Sequence, residues 1–177
     1  MTQIRPKPAD YAPFYEKYID LVPPGDLLAT LNLQVPNWKA MLGSLNGPQS
    51  EFRYESGKWS VKESLGHVSD TERIFGYRTL RIARGDQTPL AGFEQEDYVK
   101  EGNYAARTLT DLLDEFTIVR ASTIALLRSL PAEAWTRRGN ANQKEVTVCA
   151  LGFIIAGHAE HHRVILEQRY LPALPRA

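Results

Sequence analysis

Ser60-Val61-Lys62-Glu63-Ser64-Leu65-Gly66-His67 is the stretch from which the rest of the chain can be read. A serine followed three residues later by a glutamate is a capping box, in which each side chain satisfies a backbone amide that the first helical turn leaves free. Beyond that start, Val61, Leu65, Val68, Phe75 and Ile82 form one apolar arc. This predicts a helix over residues 60–84, stopped by Gly85-Asp86. His67 lies at the edge of the arc, roughly 100° from its centre. Glu72 lies almost at its middle, where a carboxylate is costly unless it is paired or bound.

Working outward, residues 88–103 carry Pro89, Gly92, Phe93, Tyr98 and Gly102, which predicts an ordered crossing loop with one helical turn at 94–99. A connection of that length is functional or topological, since adjacent antiparallel helices need only a few residues. Thr108 or Thr110 opens a helix to about residue 130, with Leu109, Leu112, Leu113, Phe116, Val119, Ile124 and Leu127 as its stripe. Pro131 begins a short turn, residues 137–144 read as a polar loop, and Thr147 caps a last helix running to about residue 170.

Upstream, Asp26 caps a helix to about residue 45, within which Pro36 predicts a kink or break near Asn32. Residues 9–22, with Tyr11, Phe14, Tyr15, Tyr18 and Ile19, read as a short helix that lays aromatic rings on the main body. Residues 1–8 and 171–177 read as tails of a single domain covering 1–177. Four amphipathic helices without a strong strand signal predict an all-α four-helix bundle.

Bulk properties remove several function classes. The 177 residues suit one domain, and 21 basic against 21 acidic side chains leave no field that would favour nucleic acid or an anionic membrane. No apolar run is long enough to span a bilayer, and the N-terminus lacks the apolar core of a signal peptide. Cys149 is the only cysteine, so no internal disulfide can form and a reducing cytoplasmic setting is expected.

Three of the four histidines lie in Gly157-His158-Ala159-Glu160-His161-His162. On the last helix, Leu151, Ile155, His158, His162 and Ile165 form a seam with steps of four and three, so His158 and His162 point inward and His161 lies on the flank. An i, i+4 pair presents two imidazoles on one face, which suits two ligands of one divalent metal. His67, on another apolar stripe, is a third buried imidazole. The alternative from spacing alone is ordinary hydrogen-bonded packing. Cys149 lies too far back along the helix to join the set and reads as a small buried apolar residue.

The run from Lys58 to Arg73, together with Ile155-Ala156-Gly157-His158-Ala159-Glu160-His161-His162, resembles the signature of the DinB/YfiT-like superfamily. Tyr77-Arg78, Arg84-Gly85-Asp86, Pro89-Leu90-Ala91-Gly92-Phe93, Asp114-Glu115-Phe116 and Arg120 also look like that pattern, and the likeness spans residues 15–171. The resemblance implies an up-down-down-up bundle, which would account for the long crossing loop. It also implies a zinc or nickel ion on His67, His158 and His162, with a position left open for water or substrate. Related proteins include transferases that use low-molecular-weight thiols such as bacillithiol or mycothiol, and homodimers are common among them.

The expected function is therefore that of a metal-dependent enzyme acting on a small molecule, a thiol S-transferase or a hydrolase. The alternative is a non-catalytic, stress-associated bundle with a structural ion. Asp70, one turn after His67, and Glu72 are the candidates for orienting a ligand or moving a proton. For Glu72, a buried pair with Arg120 or Arg78 is the favoured reading. Glu160 reads as a surface residue and Glu63 as the capping partner. Trp59 and Tyr77 read as core aromatics at helix ends or as pocket lining.

Overall fold

A computed structural model describes residues 5–175 of the chain. Its helices are α1 (Glu16–Ile19), α2 (Leu27–Leu42), α3 (Gly47–Ser50), α4 (Val61–Ala83), α5 (Gln95–Glu101), α6 (Leu109–Arg128) and α7 (Val148–Ile165). A π-turn, Leu166–Tyr170, extends α7. The capping box forms as expected. The Ser60 hydroxyl accepts from the Glu63 amide at 3.2 Å, and the Glu63 carboxylate accepts from the Ser60 amide at 2.6 Å. Asp26, Thr108 and Thr147 likewise cap α2, α6 and α7 through their side-chain oxygens.

The bundle consists of α2, α4, α6 and α7, and side-chain register gives their directions. Gln34 donates to the Ala156 carbonyl, and Leu27 packs on Gly152, so α2 and α7 run parallel. Tyr104, just before α6, packs on Gly66, and Thr123 lies beside Gly76, so α4 and α6 also run parallel. Arg120 reaches Leu31 and Gln34 while Lys39 reaches Asp114, which makes α2 and α6 antiparallel. The order is up-down-down-up. Because α4 and α6 point the same way, the chain must return along the bundle between them, and the segment with α5 does so.

Three expectations are corrected. Residues 138–147 are not a polar loop but a hairpin, β1 (Arg138–Ala141) paired antiparallel with β2 (Lys144–Thr147). Its turn residues Asn142 and Gln143 have φ of 52° and 60°, the left-handed pair of a tight hairpin turn. Asn-Gln lacks the glycine that usually announces that turn, and the strands are only four residues long. Secondly, of the kink or break expected near Asn32, the break does not occur, and α2 continues through Pro36. Pro36 and Asn32 are both exposed, so water can satisfy the Asn32 carbonyl that the missing amide would have met. Thirdly, the aromatic segment at 9–22 is two 3₁₀ turns followed by the single turn of α1, because Pro13 cannot donate inside a longer helix.

The N-terminal tail is fastened from Arg5 onward, with guanidinium donors on the Ile19 and Val22 carbonyls; its residues 1–4, like 176–177 of the other tail, lie outside the described residues. The α1 backbone crosses α7 so closely that a β-carbon on Gly157 would collide with the Tyr18 carbonyl. At the other end of the domain Gly85, with φ of 81°, stops α4 as expected.

The core falls into two apolar clusters. One holds Leu27, Leu31, Ile82, Leu127, Leu151 and Ile155, and the other holds Trp38, Leu42, Leu65, Val68, Phe116 and Ala159. Between them, on every bundle helix, lies a buried polar residue: Gln34 on α2, His67 and Glu72 on α4, Arg120 on α6 and His158 on α7. A polar layer crosses the middle of the bundle. Two of the three histidines of the candidate metal centre belong to that layer.

Candidate metal centre

His67 and His158 are 2% and 6% exposed, and His162 is partly buried. The three imidazoles converge from α4 and α7, and their nearest ring nitrogens all lie within 4.8 Å of one another. His67 Nε2 and His158 Nε2 stand 3.2 Å apart. Two nitrogens bound to one tetrahedral ion at about 2.1 Å would be roughly 3.4 Å apart, so the His67–His158 pair is spaced for a cation of that size. Without an ion, lone pairs brought together in this way repel unless they share a proton. His161 turns away, edge-on to Tyr18 at 5.2 Å between ring centres. The seam argument had separated these residues in the same way.

Burial holds all three imidazoles neutral at physiological pH. Desolvation pushes His67 down to about 4. His158 and His162 fall well below the usual histidine range, chiefly by desolvation and further through the neighbouring imidazoles and Lys17. A neutral imidazole is the form that donates a lone pair to a metal. The site is therefore prepared to receive a cation and resists protonation.

Aromatic rings fix the ligands in place. Trp59 lies against His67 at 4.6 Å and stacks on His162 at an interplanar angle of 18°. Tyr18 and Phe75 meet His158 edge-on. Trp59 Nε1 donates to Glu96 of α5 at 3.0 Å, tying the returning segment over the site. The Thr71 hydroxyl lies edge-on to the His67 ring, 3.5 Å from Nδ1 and 3.4 Å from Nε2.

Two clefts reach the histidines. One, of about 290 Å³, is lined by His67 and His158 with Tyr15, Thr71, Arg78 and Asn142. The other, of about 240 Å³, is lined by His162, Trp59, Glu96 and Tyr170. Trp59, whose place at a helix end favours a core position over pocket lining, packs against the second apolar cluster and also lines this cleft. Asn142 carried no usable signal, because its position depends on the hairpin. Tyr77 is half exposed and lines neither of these two clefts.

The two acidic candidates have other partners. Glu72 is paired bidentately with Arg120, Oε1 to Nε and Oε2 to Nη2 both at 2.8 Å, with both side chains buried. Asp70 accepts from the Tyr104 hydroxyl at 2.5 Å and from Arg73 at 3.0 Å, on the α6 side of α4. Neither carboxylate contacts His67. Glu160 pairs with Arg163, Glu63 caps α4, and burial pushes the Cys149 thiol up to about 11.

In structure the chain is similar to YfiT from Bacillus subtilis, described as a probable metal-dependent hydrolase with an unusual four-helix bundle topology. The TM-score is 0.68 at 16% identity over 90% of this chain and 87% of that one. It is also similar to the mycothiol-dependent maleylpyruvate isomerase, with a TM-score of 0.66 at 13% identity, covering 84% of this chain but only 63% of that one. At these identities the likeness concerns the fold. No curated protein matches the sequence. The DinB superfamily profile matches residues 31–166, from within α2 to the end of α7. A match over that much of the chain, containing all three converging histidines, places this protein in the DinB superfamily.

Proposed function

We propose that His67, His158 and His162 hold a divalent cation, zinc or nickel, and that the protein is a metal-dependent enzyme acting on a small molecule, as a thiol S-transferase or a hydrolase. The observation that carries this reading is the convergence of three neutral imidazoles, and of no fourth protein ligand among the described residues, at the floor of two clefts. Structural zinc sites are usually closed by four protein ligands, whereas three ligands leave a position for reaction. Bound there, the ion would lower the pKa of a coordinated water or thiol toward neutrality.

The chain's own residues supply the rest. Trp59, Tyr18 and Phe75 hold the imidazole planes and keep bulk water from their edges. Thr71 lies against the edge of the His67 ring and lines the cleft beside it. The buried Glu72–Arg120 pair holds α4 against α6 at the level of the site. The descriptions of YfiT as metal-dependent and of the isomerase as mycothiol-dependent support the metal and thiol parts of the reading.

Metal analysis of the purified protein and of its His158→Ala variant tests the site, and equal metal content in the two would sink it. Turnover is then screened with bacillithiol, mycothiol and glutathione against a panel of electrophiles. Loss of turnover on chelation is expected, and no metal-dependent turnover with any thiol would discard the transferase branch. We also propose a homodimer that covers the exposed Tyr77, Leu80 and Ile118 between α4 and α6. Sedimentation of Ile118→Lys against the parent checks it.

A further inference from the structure

We infer that the cleft beside His67 and His158 carries a receptor for a carboxylate, formed by Arg78 with Tyr15 and Asn142 at its side. The molecule that reacts at the histidines would bear that carboxylate. This inference rests on the proposed function only for where the reaction takes place; the receptor itself stands on the surroundings of Arg78.

Arg78 is 3% exposed. The comparably buried cations are compensated: Arg120 by Glu72, and Lys62 by Glu51. Among the described residues, no carboxylate lies within ion-pair distance of Arg78; Glu94 also lines the cleft but forms no ion pair with it. Its guanidinium donates to the Ala91 carbonyl at 2.7 Å, meets the Tyr15 hydroxyl, and covers the Phe75 ring. Those partners are all neutral. A guanidinium has five N–H donors and a full charge, and burying that charge uncompensated is costly. Fastening the 88–93 segment to α4 through Ala91 would require only a neutral donor, so that role alone does not account for the cation.

The position of Arg78 fits a second anchor point for a ligand. His67, Thr71, Phe75 and Arg78 follow one another along one face of α4, and all four line the same cleft. The Arg78 guanidinium carbon lies 5.4 Å from the centre of the Phe75 ring, which lies 6.4 Å from the centre of the His158 ring. A small extended acid can therefore reach from one to the other. Opposite, the hairpin turn brings Asn142 to the cleft, with its side chain packed over Gly92. The Leu90 amide donates to the Asn140 carbonyl and the Asn142 amide to the Leu90 carbonyl, which lock hairpin and loop together. The planar two-donor edge of arginine matches a carboxylate, and one cation without a cluster of backbone amides suits a single charge better than a phosphate dianion.

The test is a ligand-observed NMR titration of the full chain with butyrate, its neutral isostere butyramide and inorganic phosphate. Wild type, Arg78→Met and Arg78→Lys are each measured metal-free and with zinc. Butyrate is expected to bind the metal-free wild type, with butyramide and phosphate much weaker. Arg78→Met should weaken butyrate by about tenfold or more, with Arg78→Lys in between, and Arg78→Met should melt no lower than wild type. Equal binding of butyrate and butyramide to the wild type, or unchanged butyrate binding in Arg78→Met, overturns the receptor. Phosphate binding tighter than butyrate overturns the carboxylate assignment. If Arg78→Met does not fold, Arg78→Lys and the butyrate–butyramide contrast decide. Failure of zinc to bind while Arg78-dependent butyrate binding persists would remove the proposed metal centre and leave the receptor standing.

Discussion

Two polar clusters share the middle layer of this bundle, and they are built on opposite principles. In the first, Glu72 receives two hydrogen bonds from Arg120, and Arg120 also reaches the Leu31 carbonyl and the Gln34 side chain, which itself donates to Ala156. Charge is matched inside the cluster and the main donors are occupied. In the second, three imidazoles bring lone pairs together with no carboxylate among them and with two clefts at their edge. Both clusters are buried, and both are anchored on α4 within two turns of each other. Burial of polar groups therefore does not by itself mark a candidate site; the second cluster is set apart by three imidazoles without a carboxylate, at the edge of two clefts.

The contrast is most exposed to failure at Glu72. Glu72→Ala leaves Arg120 charged and unpaired in the core, which should cost about 3–5 kcal/mol, whereas replacing both by Leu and Met should recover most of it. Urea unfolding of the single and double variants measures both. A single variant as stable as the parent would mean that the Glu72–Arg120 cluster is not the closed structural unit described here.

Metal should produce the next largest effect, and only at the histidines. Saturation at 100 to 1,000 times Kd should raise unfolding stability by about 2.7–4.1 kcal/mol. His158→Ala should abolish that gain. The Glu72→Leu, Arg120→Met double variant should keep it, because its changes lie in the other cluster. Thermal melts with and without chelator distinguish these outcomes.

Acid provides a third effect, of about 3 kcal/mol in the metal-free protein. The His67 pKa is lowered by burial from 6.5 to about 4, so between those values the unfolded chain takes up a proton that the folded chain refuses. Stability from this group is constant above pH 6.5, falls as pH drops from 6.5 to about 4, and is level below that. His158 and His162 shift in the same direction, so His67→Gln should flatten the acid limb but not remove it. An unchanged limb in that variant would place His67 in a more hydrated setting than its 2% exposure implies.

The same contrast explains what was legible in the sequence. The four bundle helices and their caps were readable because Ser60, Asp26, Thr108 and Thr147 act on amides within three residues of themselves. The inward histidines were readable because helical periodicity separates His158 and His162 from His161. Glu72 stood out as a carboxylate in an apolar arc, with Arg120 or Arg78 as its expected partner, and of the two it is Arg120 that pairs with it. The hairpin at 138–147 was not readable, since its stability comes from packing on Ile82 and pairing with Leu90, far away in the chain. For the same reason Asn142 could not be assigned to the cleft. Spacing placed Asp70 one turn from His67, yet Tyr104, whose position depends on the return segment, drew it to the other face.

Asp70 provides the smallest and most pointed test. Its carboxylate accepts from Tyr104, whose hydroxyl is kept protonated by burial and by Asp70 itself, and it pairs with Arg73, which also reaches Glu115. The group is partly exposed, so Asp70→Asn should cost no more than about 1 kcal/mol. Zinc affinity, measured by competition with a chromogenic chelator, should stay within about twofold of the parent. Residues that orient a metal ligand typically cost 10–100-fold in affinity when removed. A loss of that size would mean that Asp70 acts on His67 in the metal-bound protein, despite its contacts with Tyr104 and Arg73.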